Sequence, residues 1–489
     1  MTTVTLSLVS HTNVGKTTLA RTLLRREIGE VRDEPHVTTI AEAHLLIEAD
    51  DARLLLWDTP GFGDTVKLMT RLRRQGDPIG WLLHQVWDRI LDRPLWCGQE
   101  AVRNIRDEAD VVLYLVNATE DPGQAGYVRP ELELLAWMAR PVLILLNQVG
   151  PATAGGTVEQ WRSSLAPFAI VRGVLSLDAF TRAWVEESLV LERVVDLLDG
   201  DKRTAMVRLL GAWNERNLRV FDDAVDALAR YLAAIAVDRE PIGPPTGPGA
   251  TWIRGRLADL RALSPVDREH AMGALFDRVQ AATRRLMDRL IELHQLSGES
   301  QVQVERRLED ATVRGHEAIN PTTGAIAGGA VSGLLTGLGA DVLTGGLSLG
   351  GGAIVGAMLG ALGGYALGGA YRLATGAESG VQFQPAALDR LAREAVLRYL
   401  LVAHYGRGRG DYADVDFPAH WAADVDTQWP RRREELQGIW RDAARGGPES
   451  APAVAERLRP LLRALLLDVL RARFPDATVL ASGGRLDPL

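Results

Sequence analysis

The residues with the clearest chemical potential are Ser10-His11-Thr12-Asn13-Val14-Gly15-Lys16-Thr17. They follow a short apolar run, Val4 to Val9, and precede a helical pattern, Thr18 to Leu24. A tight loop between strand and helix that ends in Gly-Lys-Thr is the setting of a phosphate-binding loop. Successive backbone N–H groups of such a loop form an anion nest, and the following helix points its positive end at the phosphates. Lys16 would reach the β- and γ-phosphates, and the Thr17 hydroxyl would hold Mg²⁺. Gly15 lets the backbone approach closely. The expected nucleotide contacts are therefore His11, Thr12, Asn13, Val14, Gly15, Lys16, Thr17 and Thr18. One departure is visible. Ser10 stands where the pattern G-x-x-x-x-G-K-[ST] has its first Gly, so it is expected in a turn geometry that Gly takes at less cost.

A second motif follows about 40 residues later. An alternating strand, Ala43 to Glu48, turns at Asp50-Asp51 into Ala52 to Trp57 and ends in Asp58-Thr59-Pro60-Gly61. Asp58 is placed to hold Mg²⁺ through water. The Gly61 N–H can meet a γ-phosphate that is present in one nucleotide state and absent in the other.

With these two motifs, N-V-G-K-T and D-T-P-G, residues 1 to about 190 resemble the bacterial translation-factor-related GTPases of the TrmE–Era–EngA group. The resemblance implies GTP and GDP as ligands, Mg²⁺ as cofactor and hydrolysis of GTP. It also implies a Mg²⁺-coordinating Thr in the first switch loop. By spacing to Asp58, Thr39 is the best match and Thr38 the alternative. Lys16, Thr39 and Gly61 are then the expected catalytic set, and Thr17, Thr39 and Asp58 the metal set. Several members carry Asn at the position of Asn13, where it helps place a potassium ion, so K⁺ is a candidate cofactor.

Three positions depart from that group. Phe62 follows D-T-P-G, where a self-contained mechanism often uses Gln to orient water, so hydrolysis is expected to be slow or completed by a partner or dimer mate. After the apolar strand Val142 to Leu146, the group has N-K-x-D, and this chain has Asn147-Gln148-Val149-Gly150. The resemblance implies that Asn147 braces the phosphate loop and Gln148 lies at the base. Gly150 offers no acceptor to guanine. An unmatched guanine edge would cost about 1–3 kcal/mol, which weakens selection against ATP. Ser176 opens the segment where the group contacts the base again, and Asp178 is a candidate for the missing carboxylate.

The elements that must position these residues are legible from composition and periodicity. At 489 residues the chain is too long for one core. Hydrophobic content of 46% and charged content of 24% are those of a globular protein, and a formal charge of −8 argues against a bulk nucleic-acid binder. Ribosome or RNA contact stays open. A single cysteine, Cys97, forbids an internal disulfide and fits a reducing cytoplasm. The expected fold is an α/β domain with a mostly parallel sheet and flanking helices over 1–190, followed by an all-α region. A Trp-containing insertion at about 64–108 reads as helices packed on the domain, with an enlarged second switch as the alternative. A helical region is expected over 191–320, with a Pro/Gly linker at 240–250 that reads as neither helix nor strand, and another over 373–489. The C-terminal half resembles the uncharacterised helical domain of a bacterial GTPase subgroup.

Residues 321–372 stand apart. Within them Gly329, Gly333 and Gly337, and then Gly352, Gly356, Gly360, Gly364 and Gly368, recur every fourth position. That period places them on one helix face, a glycine zipper in a helical hairpin. Two readings stand: a segment in or on the inner membrane, and a buried hairpin in a soluble fold. The expected function is a nucleotide-dependent switch acting on a helical, membrane-docking effector region. The alternative is a membrane-associated scaffold with a weakly hydrolysing or ATP-tolerant nucleotide domain.

Overall fold

A computed structural model describes residues 1–25, 41–63, 65–84, 93–147, 154–177, 183–241, 265–296, 371–374, 380–405 and 419–481. Thr38, Thr39, Asp64, Gln148, Gly150, Asp178 and the glycine-zipper stretch 324–370 lie outside the described residues. Contacts divide the chain into two compact units. One comprises Met1–Arg219, His404–Asp414 and Phe474–Leu489, and the other Val220–Ala403 and Val415–Arg473.

The first unit is built on six strands: β1 (Thr2–Ser10), β2 (Glu42–Ala49), β3 (Ala52–Asp58), β4 (Val111–Asn117), β5 (Val142–Asn147) and β6 (Val171–Ser176). Their order is β2-β3-β1-β4-β5-β6. All neighbours are parallel except β2 and β3, the hairpin joined at Asp50-Asp51. β4 and β5 read as unbroken apolar runs because helices cover both faces. Alternation sorts their side chains. Val111, Leu113 and Leu115 face one core with Leu19 and Leu23 of α1 (Lys16–Leu24), Val190 and Val194 of α7 (Trp184–Leu197), and Leu209 and Trp213 of α8 (Gly200–Val237). Val112, Tyr114 and Val116 face the other.

That second core receives Leu68 and Leu72 of α2 (Thr65–Leu72), Leu82 of α3 (Pro78–His84), Val102 and Ile105 of α4 (Arg93–Asp107), Leu132 and Leu135 of α5 (Val128–Ala136), and Trp161 of α6 (Ala154–Leu165). The described part of the insertion is thus helices packed on the domain, with Trp81 half-buried against this core. Ser7 Oγ donates to Asn104 Oδ1 at 2.6 Å, which fixes α4 beneath β1.

The second unit takes the later part of α8, α9 (Pro265–Leu293), α10 (Pro385–Ala403), α11 (Ala419–Gln428), α12 (Pro430–Ala443) and α13 (Ala451–Arg473). Leu391 and Leu400 of α10, Ile439 and Trp440 of α12, and Leu462 and Leu466 of α13 are buried. Arg432 and Asp468 pair at 3.0 Å, and Arg393 and Asp426 at 2.6 Å. A short helix, α14 (Thr478–Ala481), belongs to the first unit, where Thr478 donates to Glu192 at 2.5 Å.

The expected linker at 240–250 is corrected at its first two residues. Glu240–Pro241 form a short strand, β7, on β9 (Gly380–Phe383), which also pairs with β8 (Tyr371–Ala374). Proline is compatible with that place because β7 is an edge strand and needs no second ladder donor. The segment Asp411 to Trp429, Pro-interrupted in sequence, is helical from Ala419. Among the described residues, no helix is long and apolar enough to cross a membrane.

Candidate functional site

The site gathers at the C-terminal ends of β1 and β3. Parallel register places Leu8 opposite Asp58, so the segments leaving both strands run side by side. Thr59 Oγ1 donates to the Leu8 carbonyl at 2.8 Å, and Phe62 N–H to the Ser10 carbonyl at 2.9 Å. A single parallel bridge joins His11 and Phe62. The two motifs, about 40 residues apart in sequence, are one structure.

Ser10 corrects the sequence expectation. It is the last residue of β1, paired with Leu115 of β4, and its φ is not positive. An extended residue needs no glycine. Its hydroxyl donates to the His11 carbonyl and accepts from Lys16 Nζ at 3.1 Å. The turn strain falls later, on Asn13 (φ 62°) and Gly15 (φ 95°). Asn tolerates the left-handed region better than most side-chain-bearing residues. At Gly15 a Cβ would also stand 2.9 Å from Asn147 Nδ2. That amide donates to the Val14 carbonyl at 2.8 Å and so braces the loop from the end of β5.

Lys16 is buried, with only 8% of its surface exposed. Burial pulls its ammonium below the ordinary lysine range, against the raising fields of Asp58 and Glu131. A Cβ on Gly61 would lie 3.2 Å from Lys16 Nζ and 3.2 Å from Thr12 Cα, so a side chain at 61 would crowd both. Thr17 Oγ1 donates to Asp58 Oδ2 at 2.8 Å. Asp58 Oδ1 is buried without a hydrogen-bond partner, and burial raises this carboxyl. A buried ammonium beside a bare glycine, and an orphaned carboxylate oxygen beside a hydroxyl, are what a phosphate and a hard cation would satisfy. The donor set fits both groups.

The other expected residues distribute as follows. Val14 and Thr18 are buried, so their side chains serve the core and only their backbone can face a ligand. Asn13 is exposed at the loop apex. Ser176 ends β6 opposite Leu146, beside Asn147. The His11 imidazole meets Glu131 Oε1 at 2.7 Å and stacks on Tyr127 with ring centroids 4.3 Å apart. Phe62 is 1% exposed and belongs to the core with Leu68 and Met69.

Glu131 and Tyr114 were missed by sequence reasoning. Glu131 is fully buried in α5 and also accepts from Tyr114 Oη at 2.6 Å and Thr65 Oγ1 at 3.2 Å. The available signal was a phenol inside the aliphatic run Val111 to Val116, which must find a partner when buried.

Two families match the chain, and the more C-terminal match begins within the first unit. The family described as Domain of unknown function (DUF3482) matches residues 164–460, and the one described as 50S ribosome-binding GTPase matches residues 5–148. GTPase Era of Geobacter metallireducens is 26% identical over 154 residues, which is 32% of this chain and 42% of that protein. The chain therefore spans less than half the length of this curated relative. A crystal structure of Era in complex with MgGDPNP and nucleotides 1506–1542 of 16S ribosomal RNA is 17% identical, covering 41% of this chain and 58% of that one, with a TM-score of 0.31. A variant of Aquifex aeolicus Era bound to GDP.AlF4⁻ is also 17% identical, covering 49% and 70%, with a TM-score of 0.31.

Proposed function

The chain belongs to the family of the domain of unknown function DUF3482, joined to an Era-like P-loop GTPase domain, and from this premise we propose that it is a guanine-nucleotide switch with slow intrinsic hydrolysis. The observation that carries the reading is the pairing of a buried Lys16 ammonium beside Gly61 with the Thr17–Asp58 contact. In this reading the amides of residues 11 to 17 cradle the phosphates, and Lys16 neutralises the β- and γ-oxygens. Thr17, Asp58 and Thr39 hold Mg²⁺, which supplies positive charge to the phosphates when bound. The Gly61 N–H senses the γ-phosphate, and Asn147 keeps the loop in its strained turn. Gln148 and Ser176 line the base. Asn13, exposed in the loop, would help hold K⁺ beside the phosphates.

Slow hydrolysis follows from Phe62. Its ring is committed to the core, so the position after Gly61 brings no polar group to an attacking water. The helical region is then the effector, and its glycine-rich stretch 321–372 is the segment proposed to dock to a membrane or partner. A homodimer through the nucleotide domain could complete the site. Filter binding of labelled GTP with Mg²⁺, in competition with excess GDP, tests the switch reading. Competition by GDP supports it, and no retained label removes it.

Gly150 favours a second reading, in which the domain accepts ATP as well because no carboxylate selects guanine. Competition by excess ATP separates the two: equal displacement by ATP and GTP supports the second. Equal hydrolysis in Na⁺ and K⁺ would remove the potassium assignment.

A further inference from the structure

Glu131 is a buried carboxylate outside the nucleotide-contacting set, and it touches three separate elements. Oε1 receives His11 Nδ1 from the phosphate loop at 2.7 Å and Thr65 Oγ1, the first residue of α2, at 3.2 Å. Oε2 receives the Tyr114 hydroxyl of β4 at 2.6 Å. Burial and the neighbouring carboxylate hold the Tyr114 phenol well above its ordinary range, so it remains an O–H donor. Burial also raises Glu131, against the three donors that favour its charged form. A fully buried carboxylate is retained at such a point only when each oxygen is satisfied.

The position of this group matters more than its burial. Between Asp58 and Thr65 the chain is held at Thr59 by the Leu8 carbonyl and at Phe62 by the Ser10 carbonyl. Thr65 is the next anchor, and it is held by the same oxygen that holds His11. Gly61, next to Lys16 Nζ and Thr12, lies between the ties at Thr59 and Phe62, and Thr65 adds a third tie three residues beyond Phe62. The Phe62 tie is backbone, and the Thr65 tie passes through Glu131.

We infer that Glu131 is a positioning residue that clamps the phosphate loop, through His11, to the segment after D-T-P-G, through Thr65, and so sets how strongly the site distinguishes a nucleoside triphosphate from a diphosphate. The inference rests on the nucleotide reading above and adds a residue to it. Glu131 touches no phosphate. It backs the Phe62 tie that keeps the Gly61 N–H toward the γ-phosphate, so its loss falls mainly on the triphosphate state, because the loop amides and Lys16 that bind a diphosphate keep the Asn147 brace.

The test compares wild type, Glu131→Gln, Thr65→Val and the double variant in the full chain. The readouts are affinities for GDP and for a non-hydrolysable GTP analogue, with single-turnover hydrolysis of GTP. Glu131→Gln is expected to lower the triphosphate-to-diphosphate affinity ratio about tenfold with GDP affinity within about twofold, and to slow hydrolysis by a similar factor. Thr65→Val removes at constant shape a hydroxyl shared between Glu131 and the Gly63 carbonyl, each at 3.2 Å, and should move the ratio in the same direction. The double variant should lose less than the sum of the two single losses, because both remove the Thr65–Glu131 contact. If Glu131→Gln does not fold, Thr65→Val alone decides. An unchanged ratio in the folded variants overturns the inference, as does an equal loss for both nucleotides. Absence of nucleotide binding by the wild type would instead mark failure of the underlying reading, and the inference falls with it.

Discussion

Thr17 Oγ1 donates to Asp58 Oδ2 across 2.8 Å, joining the first turn of α1 to the last residue of β3. In the proposed reading this pair meets a divalent cation at the β-phosphate. On that reading Asp58→Asn should lower the affinity for GTP at millimolar Mg²⁺ about tenfold, or about 1.4 kcal/mol, and shrink the effect of adding EDTA. Because Asp58 also faces the buried Lys16 ammonium, the nucleotide-free variant should melt lower than wild type. Calorimetric titration with and without Mg²⁺, and a thermal melt, check both halves.

The loop is strained and braced at neighbouring residues. Gly15→Ala places a Cβ at φ 95° and 2.9 Å from the Asn147 amide. The expected penalty is about 1–3 kcal/mol, with nucleotide affinity falling in parallel. Asn147→Ala should destabilise by about 1–3 kcal/mol, because the Val14 carbonyl loses its donor. Chemical denaturation of each variant, followed by nucleotide titration, measures these effects.

Phe62 invites a tempting substitution. Placing Gln there restores the residue type that orients water in self-sufficient GTPases. Here the side chain at 62 enters the core, so Phe62→Gln should bury an unpaired amide and lower the melting temperature, with no gain in hydrolysis. A phosphate-release assay beside a melt decides. Faster hydrolysis at unchanged stability would show that residue 62 can face the nucleotide.

The helical unit carries its own pH dependence. Burial, with Arg473 nearby, lowers His420 from 6.5 to about 4. The unfolded chain therefore binds a proton between those values that the fold does not. His420 leaves stability intact above pH 6.5 and removes it progressively as pH falls toward 4. Asp424, whose carboxyl burial raises, opposes this only at the acid end. His420→Phe keeps a ring against Trp421, 5.0 Å away in the wild type, and should flatten the fall in melting temperature between pH 7 and pH 5. An unchanged slope would contradict the assignment.

What sequence could and could not reveal follows the range of each interaction. That Lys16, Thr17, Asp58 and Gly61 gather in one place was legible because Gly-Lys-Thr and Asp-Thr-Pro-Gly each stand at a fixed local spacing from a strand end. The apolar run Val111 to Val116 was legible as a doubly covered strand, because no polar face is required. Ser10 was misread because its extended φ depends on pairing with Leu115, a partner about 105 residues away. Pro241 was misread because an edge position is a property of the sheet, and its partner, Gly380, lies about 139 residues on. Glu131 was invisible as a functional residue because its three donors come from positions 11, 65 and 114. A Glu in the first turn of a helix needs no such explanation in sequence.

The central claim is that the turn from β1 into α1 holds a nucleoside triphosphate through Lys16. Calorimetric titration of the full chain and of Lys16→Ala with GTP and Mg²⁺ tests it most directly. The account predicts a saturable heat of association for the wild type and at least a roughly tenfold weaker one for the variant. No heat for the wild type, or equal affinity in both proteins, would contradict it.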